Sequence, residues 1–347
     1  MLPELKREAE ITLKSRIWNK SACLLLVCTL TFIGLTGCTS SSKESSNAEL
    51  TDLTVLLDWY PNAVHTFLYA AQAQGYFKEA GLNVKLQTPA DTNDAIKLVA
   101  TGKADLAFSY QMQVAVSRSE DIPIVSVAAI VRHPLNQLFA LDSAEMNSPK
   151  DLIGKRIGYP SSPMDEAIVN TMVRAEGGDP AKLNYVDVGW DLIPSMTTKK
   201  VDAIIGGFVN HEKLLLEKEG EKLQTFDPAE YGVPDYYELV LAASEEGLRN
   251  KGDAIKKFLQ AATKGQEYTA QHPDESLQVL LDKQDKEFPL DPEIERKSLE
   301  VLLPLMDAGA EPFGSQTEAS WNSAIDWLTN HQLMKKEIKA NEAFRNL

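Results

Sequence analysis

Cysteine is nearly missing from this chain: there are three in 347 residues, at positions 23, 28 and 38. Cys23 and Cys28 fall inside an apolar run near the N-terminus, so Cys38 is the one thiol left for the part that folds beyond it. This excludes an internal disulfide there, along with thiolate zinc sites, iron–sulfur clusters and a cysteine nucleophile. Positive charge is also scarce. Lys and Arg number 35 against 50 Asp and Glu, a formal net charge of −15, whereas nucleic acid demands basic patches. The chain has no GxxxxGK[ST] phosphate loop, no HExxH zinc motif and no Gly-x-Ser-x-Gly elbow. Its five histidines (65, 133, 211, 272 and 331) show no ligand spacing. What is present, 44% hydrophobic and 24% charged residues, is the composition of a globular protein. The length predicts about two domains.

One apolar run stands apart. KSRIWNK (Lys14 to Lys20) is followed by ACLLLVCTLTFIGLTG (Ala22 to Gly37) and then by Cys38. A basic region, a short apolar region and small residues, in that order, describe an export signal. The run falls short of the about 20 residues that cross a bilayer comfortably. An N-terminal membrane anchor is the other reading, and both place the folded part outside the cytoplasm, tethered to a membrane. LTGC (Leu35 to Cys38) resembles the lipobox of bacterial lipoproteins, which implies a signal over residues 1–37 and lipidation of Cys38. The Ser-rich stretch after it reads as a flexible tether over residues 38–50.

Beyond the tether, strand-like and helix-like segments alternate. LTVLLD precedes an amphipathic segment from Ala63 to Ala80 that stops at Gly81. NVKLQT then reads as a strand, Asn93 to Thr101 as a helix closed by Gly102, and ADLAFS as a strand. A second series begins near Leu152, with GKRIGYP, LNYVDV and VDAIIGGF as strands separated by helices. Ser162 reads as the N-cap of the first of these helices, with Pro163 at its first position and Asp165 and Glu166 in its first turn. Short crossovers of this kind make parallel sheets. GKADLAF and KKVDAII each place Lys-x-Asp at a helix-to-strand junction, a faint internal echo. The expected fold class is therefore α/β in two lobes. Lobe I comprises residues 51–140 and a mostly helical part over 241–347, lobe II residues 141–240, and the hinge lies where the chain crosses near 140 and 240.

Ligands of open α/β sheets bind beyond the carboxyl ends of the strands, and here those ends are unusual. LLDWYPNAVH turns from an apolar strand into Asp58, Trp59, Tyr60, Asn62 and His65. Later strand ends bring Ser109 and Tyr110, Asn136 and Gln137, Tyr159 to Ser162 with Pro160, Trp190 and Asp191, and Phe208 and Asn210. Tyr236, Tyr237 and Glu238 precede a further strand. Each has an ordinary structural reading: Trp59 as a core aromatic, Asn62 as a helix cap, Glu238 as a solvated edge charge. Their joint occurrence on both lobes points to a cleft. The residue types suit a flat, neutral heteroaromatic ligand, with aromatic faces each adding about 0.5–1.5 kcal/mol beyond burial. Only Arg132, beside His133, offers a cation in these turns. His65 and His133 read as hydrogen-bond partners ahead of general bases.

LDWYPNAVHTFLYAAQAQGYFKEAGLNVKL, GKADLAFSY, IPIVSVAAIV, LIGKRIGYP and the later YYE together resemble the thiamine-pyrimidine-synthase-like branch of the type II periplasmic-binding-protein superfamily. The resemblance implies a two-lobed type II fold with a hinge. It implies a monomeric substrate-binding lipoprotein that serves an ABC permease and its ATPase and holds a formylaminopyrimidine or hydroxymethylpyrimidine, with no cofactor. Trp59 and Tyr236 are the implied stacking partners and Glu238 the partner of the amino edge; Asn62, His65 and Tyr110 follow at one remove. Flavin, alkanesulfonate or nitrate are the competing transported ligands, and a non-transport sensor is the competing role. Synthases of the same branch use a lysine that holds pyridoxal phosphate, a histidine and a cysteine-rich segment. Ser109, Gln113 and PDYYE align at those places, so no enzyme is expected.

Overall fold

The computed structural model describes residues 49–88, 94–160, 162–189, 191–284 and 289–347. The expected signal, the lipidation site Cys38, most of the tether and Trp190 lie outside the described residues.

The first sheet contains β1 (Thr51–Leu56), β2 (Leu82–Gln87), β3 (Leu106–Ser109) and β4 (Ile124–Val131). The second contains β5 (Asn136–Leu141), β6 (Arg156–Tyr159), β7 (Asn184–Asp187), β8 (Ala203–Phe208) and β9 (Leu223–Phe226), and β10 (Leu239–Ser244) returns to the first. The strand orders are β2-β1-β3-β10-β4 and β7-β6-β8-β5-β9, the same plan twice. In each sheet the first three strands are parallel, and the antiparallel strand beside them is the one that has just arrived from the other sheet. Strands β3 and β10 inside the first sheet, and β4 at one edge of it, are buried along their whole length, the pattern of strands covered on both faces. The edge strand β2 instead alternates buried and exposed residues at its start.

The sequence echo has a structural meaning. Asp105 and Asp202 stand just before β3 and β8, and each is tied to the neighbouring parallel strand, β1 or β6. Asp105 accepts the Thr54 N–H at 2.8 Å and Asp202 accepts the Arg156 N–H at 2.8 Å. Asp202 also holds the Arg156 guanidinium through both oxygens.

Two expectations are corrected. The chain leaves the first sheet at Arg132–Leu135, and β5 from Asn136 onward already belongs to the second sheet, so the first crossing precedes residue 140. The segment 63–80 is not one helix. It comprises a 3₁₀ turn (Ala63–His65), a helix (Thr66–Ala73) and a second short helix (Tyr76–Glu79), broken at Gly75, whose φ of +80° a side-chain-bearing residue adopts only with strain.

The C-terminal helices pack back onto the first lobe. Helix Glu245–Gln271 lies against Thr66–Ala73, and a Cβ on Gly265 would stand 2.3 Å from the Phe67 carbonyl oxygen and 2.7 Å from the Ala71 Cβ. Backbone, not a movable side chain, sets that approach. Gly265→Ala is expected to destabilise the protein by about 1–3 kcal/mol, the usual cost of overpacking, despite the better helix propensity of alanine. Urea unfolding followed by circular dichroism checks this, and an unchanged or raised midpoint would contradict the close helix contact.

Candidate functional site

β1 ends against the turn that carries Asp58, and the turn is built from its own side chains. Asn62 caps it, accepting the Val64 N–H at 3.1 Å and donating to the Tyr60 carbonyl at 3.2 Å. His65 is fully buried. Its Nδ1 accepts the Asn62 N–H at 3.3 Å, which leaves Nε2 to donate to Asp58 Oδ1 at 2.9 Å. The imidazole edge also rests on the Phe108 ring, centroids 5.3 Å apart. Asn62 and His65 therefore serve the site by fixing Asp58 and the path of the chain. Trp59 and Tyr60 lie edge to face, 6.2 Å between centroids, and both are partly exposed at the sheet end.

Across the turn, Ser109 is buried and bonds Gln113 at 2.9 Å. Tyr110 follows it, partly exposed. Burial pushes its phenol well up, and four carboxylates add to the effect: Asp58, Glu238, Asp165 and Glu212. Two of these four come from the second lobe, so Tyr110 stands where the two sheets' ends meet.

Glu238 sits at the end of the second crossing, 3% exposed. Its Oε2 accepts the Leu135 N–H at 2.7 Å and the Asn136 N–H at 3.0 Å, and the Tyr236 hydroxyl approaches it at 3.5 Å. Asn136 continues the network by donating to Asp165 at 2.8 Å and accepting the Gly206 N–H at 2.8 Å. Burial raises Glu238 to about 7, with Asp165 adding to the rise and the two backbone N–H groups opposing it. Burial raises Asp165 to about 6, opposed by its bonds to Asn136 and Ser162. Around neutral pH Glu238 stands between its protonated and ionised forms, a donor in one and an acceptor in the other. Burial, then Glu238, pushes the Tyr236 phenol well above its usual range, so it stays a neutral donor.

The second lobe adds Pro160 after β6, packed against Gly206, where a Cβ would stand 2.6 Å from the proline ring. The positive φ of +92° and this contact together require glycine there. Asn210, also expected in the site, is buried and bonds Ser298 of the first lobe at 2.9 Å, so it acts between lobes. Ser162 occupies the helix N-cap, but its side chain makes no capping bond to the helix backbone. Sequence reasoning gave Asp165 and Glu212 no role in the site. A carboxylate in the first turn of a helix looks like an ordinary dipole partner until its burial is known.

A separate cavity of about 350 Å³ lies in the first lobe, lined by Phe67, Phe108, Phe258 and Phe313 among others; none of the carboxylates above lines it. Among the described residues, no group of three or more His, Cys, Asp or Glu is arranged to hold a metal ion. Likewise, no described helix is long and apolar enough to cross a membrane.

Two open sheets of matching order, joined by two crossings and meeting at their polar, aromatic strand ends, define a two-lobed α/β protein of the type II periplasmic-binding-protein class. The alkanesulfonate-binding protein SsuA of Xanthomonas axonopodis pv. citri superposes with a TM-score of 0.67 over 86% of this chain and 99% of that one, at 12% identity. That identity speaks for the fold alone. The chain belongs to the NMT1/THI5 like family, whose profile matches residues 62–276. A formylaminopyrimidine-binding protein of Halalkalibacterium halodurans is 43% identical over 92% of this chain and 96% of its own length. A putative thiamine biosynthesis protein of Haemophilus influenzae is 36% identical over 66% of this chain and 72% of its own length.

A group whose folded pKa is raised favours the fold below its unfolded pKa and loses that contribution as pH rises through the folded value. For Glu238 that window runs from the ordinary carboxylate range up to about 7. Glu238→Gln keeps the acceptor for Leu135 and Asn136 and removes the charge. It is expected to leave the melting temperature unchanged at pH 5 and to raise it by about 2–5 °C at pH 8. Thermal unfolding at the two pH values reads the difference; an equal shift at both would contradict the buried, proton-binding carboxylate.

Proposed function

We propose that this protein captures a thiamine-type aminopyrimidine, a formylaminopyrimidine or hydroxymethylpyrimidine, on the outer side of the cytoplasmic membrane and delivers it to an ABC permease and its ATPase. It is a substrate-binding protein of an ABC importer and not an enzyme. Ser109 and Gln113, at the places that the resemblance aligns with the synthases' lysine and histidine, are bonded to each other. Cys38 is the proposed lipid anchor, in a chain that otherwise works outside the cytoplasm as a monomer.

The observation that carries the ligand assignment is the Glu238 carboxyl. Its described bonds all fall on Oε2, which leaves Oε1 for a ligand among the described residues. An aminopyrimidine edge sets an NH₂ donor beside a ring-nitrogen acceptor. A carboxyl that titrates near 7 can answer either through Oε1, accepting from the amino group when ionised and donating to the ring nitrogen when protonated. Trp59 and Tyr236 supply aromatic faces and Tyr110 a neutral hydroxyl. Asp58, Pro160 and Trp190 complete the proposed lining, while Asn62, His65, Ser109 and Asn210 hold it in place. The carboxylates gathered round Tyr110 oppose a sulfonate, nitrate or phosphate, because an anion would meet like charge in a site short of water.

Calorimetric titration with the formylaminopyrimidine tests the reading. One-to-one binding is expected, weakened about 30- to 150-fold by Glu238→Ala, the loss of about 2–3 kcal/mol for a charged hydrogen bond. Trp59→Ala is expected to cost about tenfold. Binding of an alkanesulfonate or nitrate in place of the pyrimidine would overturn the assignment.

A further inference from the structure

A second polar cluster joins the lobes. Asn210 and His211 follow β8, and Glu212 opens helix Glu212–Lys218 of the second lobe. Facing them is helix Pro292–Met306 of the first lobe, with Asp291 as its N-cap. Asn210 donates to Ser298 at 2.9 Å, and Lys218 pairs with Asp291. Between these contacts, His211 Nδ1 lies 3.0 Å from Glu212 Oε1 and its Nε2 lies 3.8 Å from Glu295 Oε1. The other oxygens of both carboxylates are also engaged. Glu212 Oε2 accepts the Phe208 N–H at 2.8 Å, and Glu295 Oε2 accepts the Ala63 N–H at 2.7 Å.

A neutral imidazole has one N–H and one lone pair, so it can serve only one of two flanking carboxylates and opposes the other. The imidazolium donates to Glu212 and sets its positive charge 3.8 Å from Glu295 as well. Glu295 is 1% exposed, and a buried carboxylate left without its partner is strongly destabilising.

We propose that Glu295 and His211 are positioning residues. They form a proton-dependent bracket that holds the two lobes together and, through the Ala63 N–H, braces the turn that carries Asp58 and Trp59. The bracket acts whatever small molecule fills the cleft. Its electrostatics agree with the geometry. Burial alone lowers the His211 pKa; the Glu212 charge and hydrogen bond, and then Glu295, reverse this and raise it to about 9. Burial raises Glu295, while His211, the Ala63 N–H and His65 hold it down and Asp291 pushes it up. Glu212 is held below its usual value, the His211 charge and bond outweighing burial. With burial included, the joined arrangement holds His211 at about 9, above the 6.5 of an imidazole in water, so it binds the proton more tightly than an arrangement in which the cluster is opened to water. Protonation therefore favours joined lobes, and that contribution fades as pH rises through about 9. Glu238 and Asp165 titrate lower, near 7 and 6, outside this window.

Small-angle scattering of the ligand-free protein across pH 7.5–10.5 tests the bracket, with circular dichroism at each pH to separate opening from unfolding. The expected result is an expansion of the wild type with a midpoint near 9 that Glu295→Gln and His211→Gln each abolish. The histidine ring-proton resonances, followed by NMR over the same range, decide the matter in the wild type alone if a variant fails to fold. One resonance is expected to titrate together with the expansion. A wild type that does not expand, a step that persists in both variants, or an expansion that no histidine resonance accompanies would overturn the proposal. Because no ligand is present, none of these outcomes depends on the pyrimidine assignment.

Discussion

Glu238 Oε2 accepts the N–H groups of Leu135 and Asn136, and with those two bonds the second crossing of the chain is tied to the end of the first. Leu135 and Asn136 mark where the chain enters the second sheet; Glu238 marks where it re-enters the first. A carboxyl buried at that point is costly unless it is hydrogen-bonded, and backbone N–H groups are donors that side-chain motion cannot withdraw. The hinge region is thereby held by the same group that is proposed to bind the ligand. Moving either crossing changes the donors on Glu238, and changing the proton on Glu238 changes what holds the crossings.

The repeated plan of the sheets extends the same economy. Each sheet takes its antiparallel strand from the chain just received from the other lobe, so neither sheet is complete without a crossing. Asp105 and Asp202 then lock β3 to β1 and β8 to β6 in the same way. The strand ends of both lobes are left to carry polar and aromatic side chains, because the cores beneath them are already closed by β3, β4, β10 and β8. Where lobe meets lobe, several contacts are polar: Asn210 with Ser298, His211 with Glu295, and Thr171 with His331 at 2.8 Å. Polar contacts of this kind exchange for water at modest cost, as a moving interface between domains requires.

Much of this was legible in the sequence, for identifiable reasons. The alternation of apolar runs with Gly-terminated amphipathic segments marks βα units, and the run LTVLLD breaking into DWYPN marks a strand end that faces something other than core. The change of sheet at Arg132–Leu135 was not legible. LFAL (Leu138 to Leu141) is a short apolar run, and nothing in it tells which sheet it joins, because an antiparallel strand from either lobe has the same pattern. Gly75 inside 63–80 carried a signal, a lone glycine in a helical pattern, but only the φ of +80° shows that it ends one helix and begins another. The site carboxylates divide similarly. Glu238 stood out beside two tyrosines at a strand start, whereas Asp165, Glu212 and Glu295 look like acidic residues of first turns. The partners that bury them lie 29 or more residues away for Asp165 with Asn136, and 232 for Glu295 with Ala63.

The fold by itself does not choose a ligand, as the alkanesulfonate-binding protein of the same architecture makes plain. The choice rests with the charge at the strand ends. An anion site needs cations or several free N–H groups aimed at one point. Here the N–H groups that converge at the cleft, those of Leu135, Asn136 and Phe208, are already taken by carboxylates of the protein itself. With the protein's own carboxylates on those donors, the described residues of the proposed cleft disfavour a second anion. It has instead an excess of acceptors, a carboxyl that binds a proton near neutral pH and aromatic faces. A neutral heteroaromatic that offers an amino donor beside a ring acceptor meets each of these features without leaving a buried charge unanswered, and a sulfonate meets none of them.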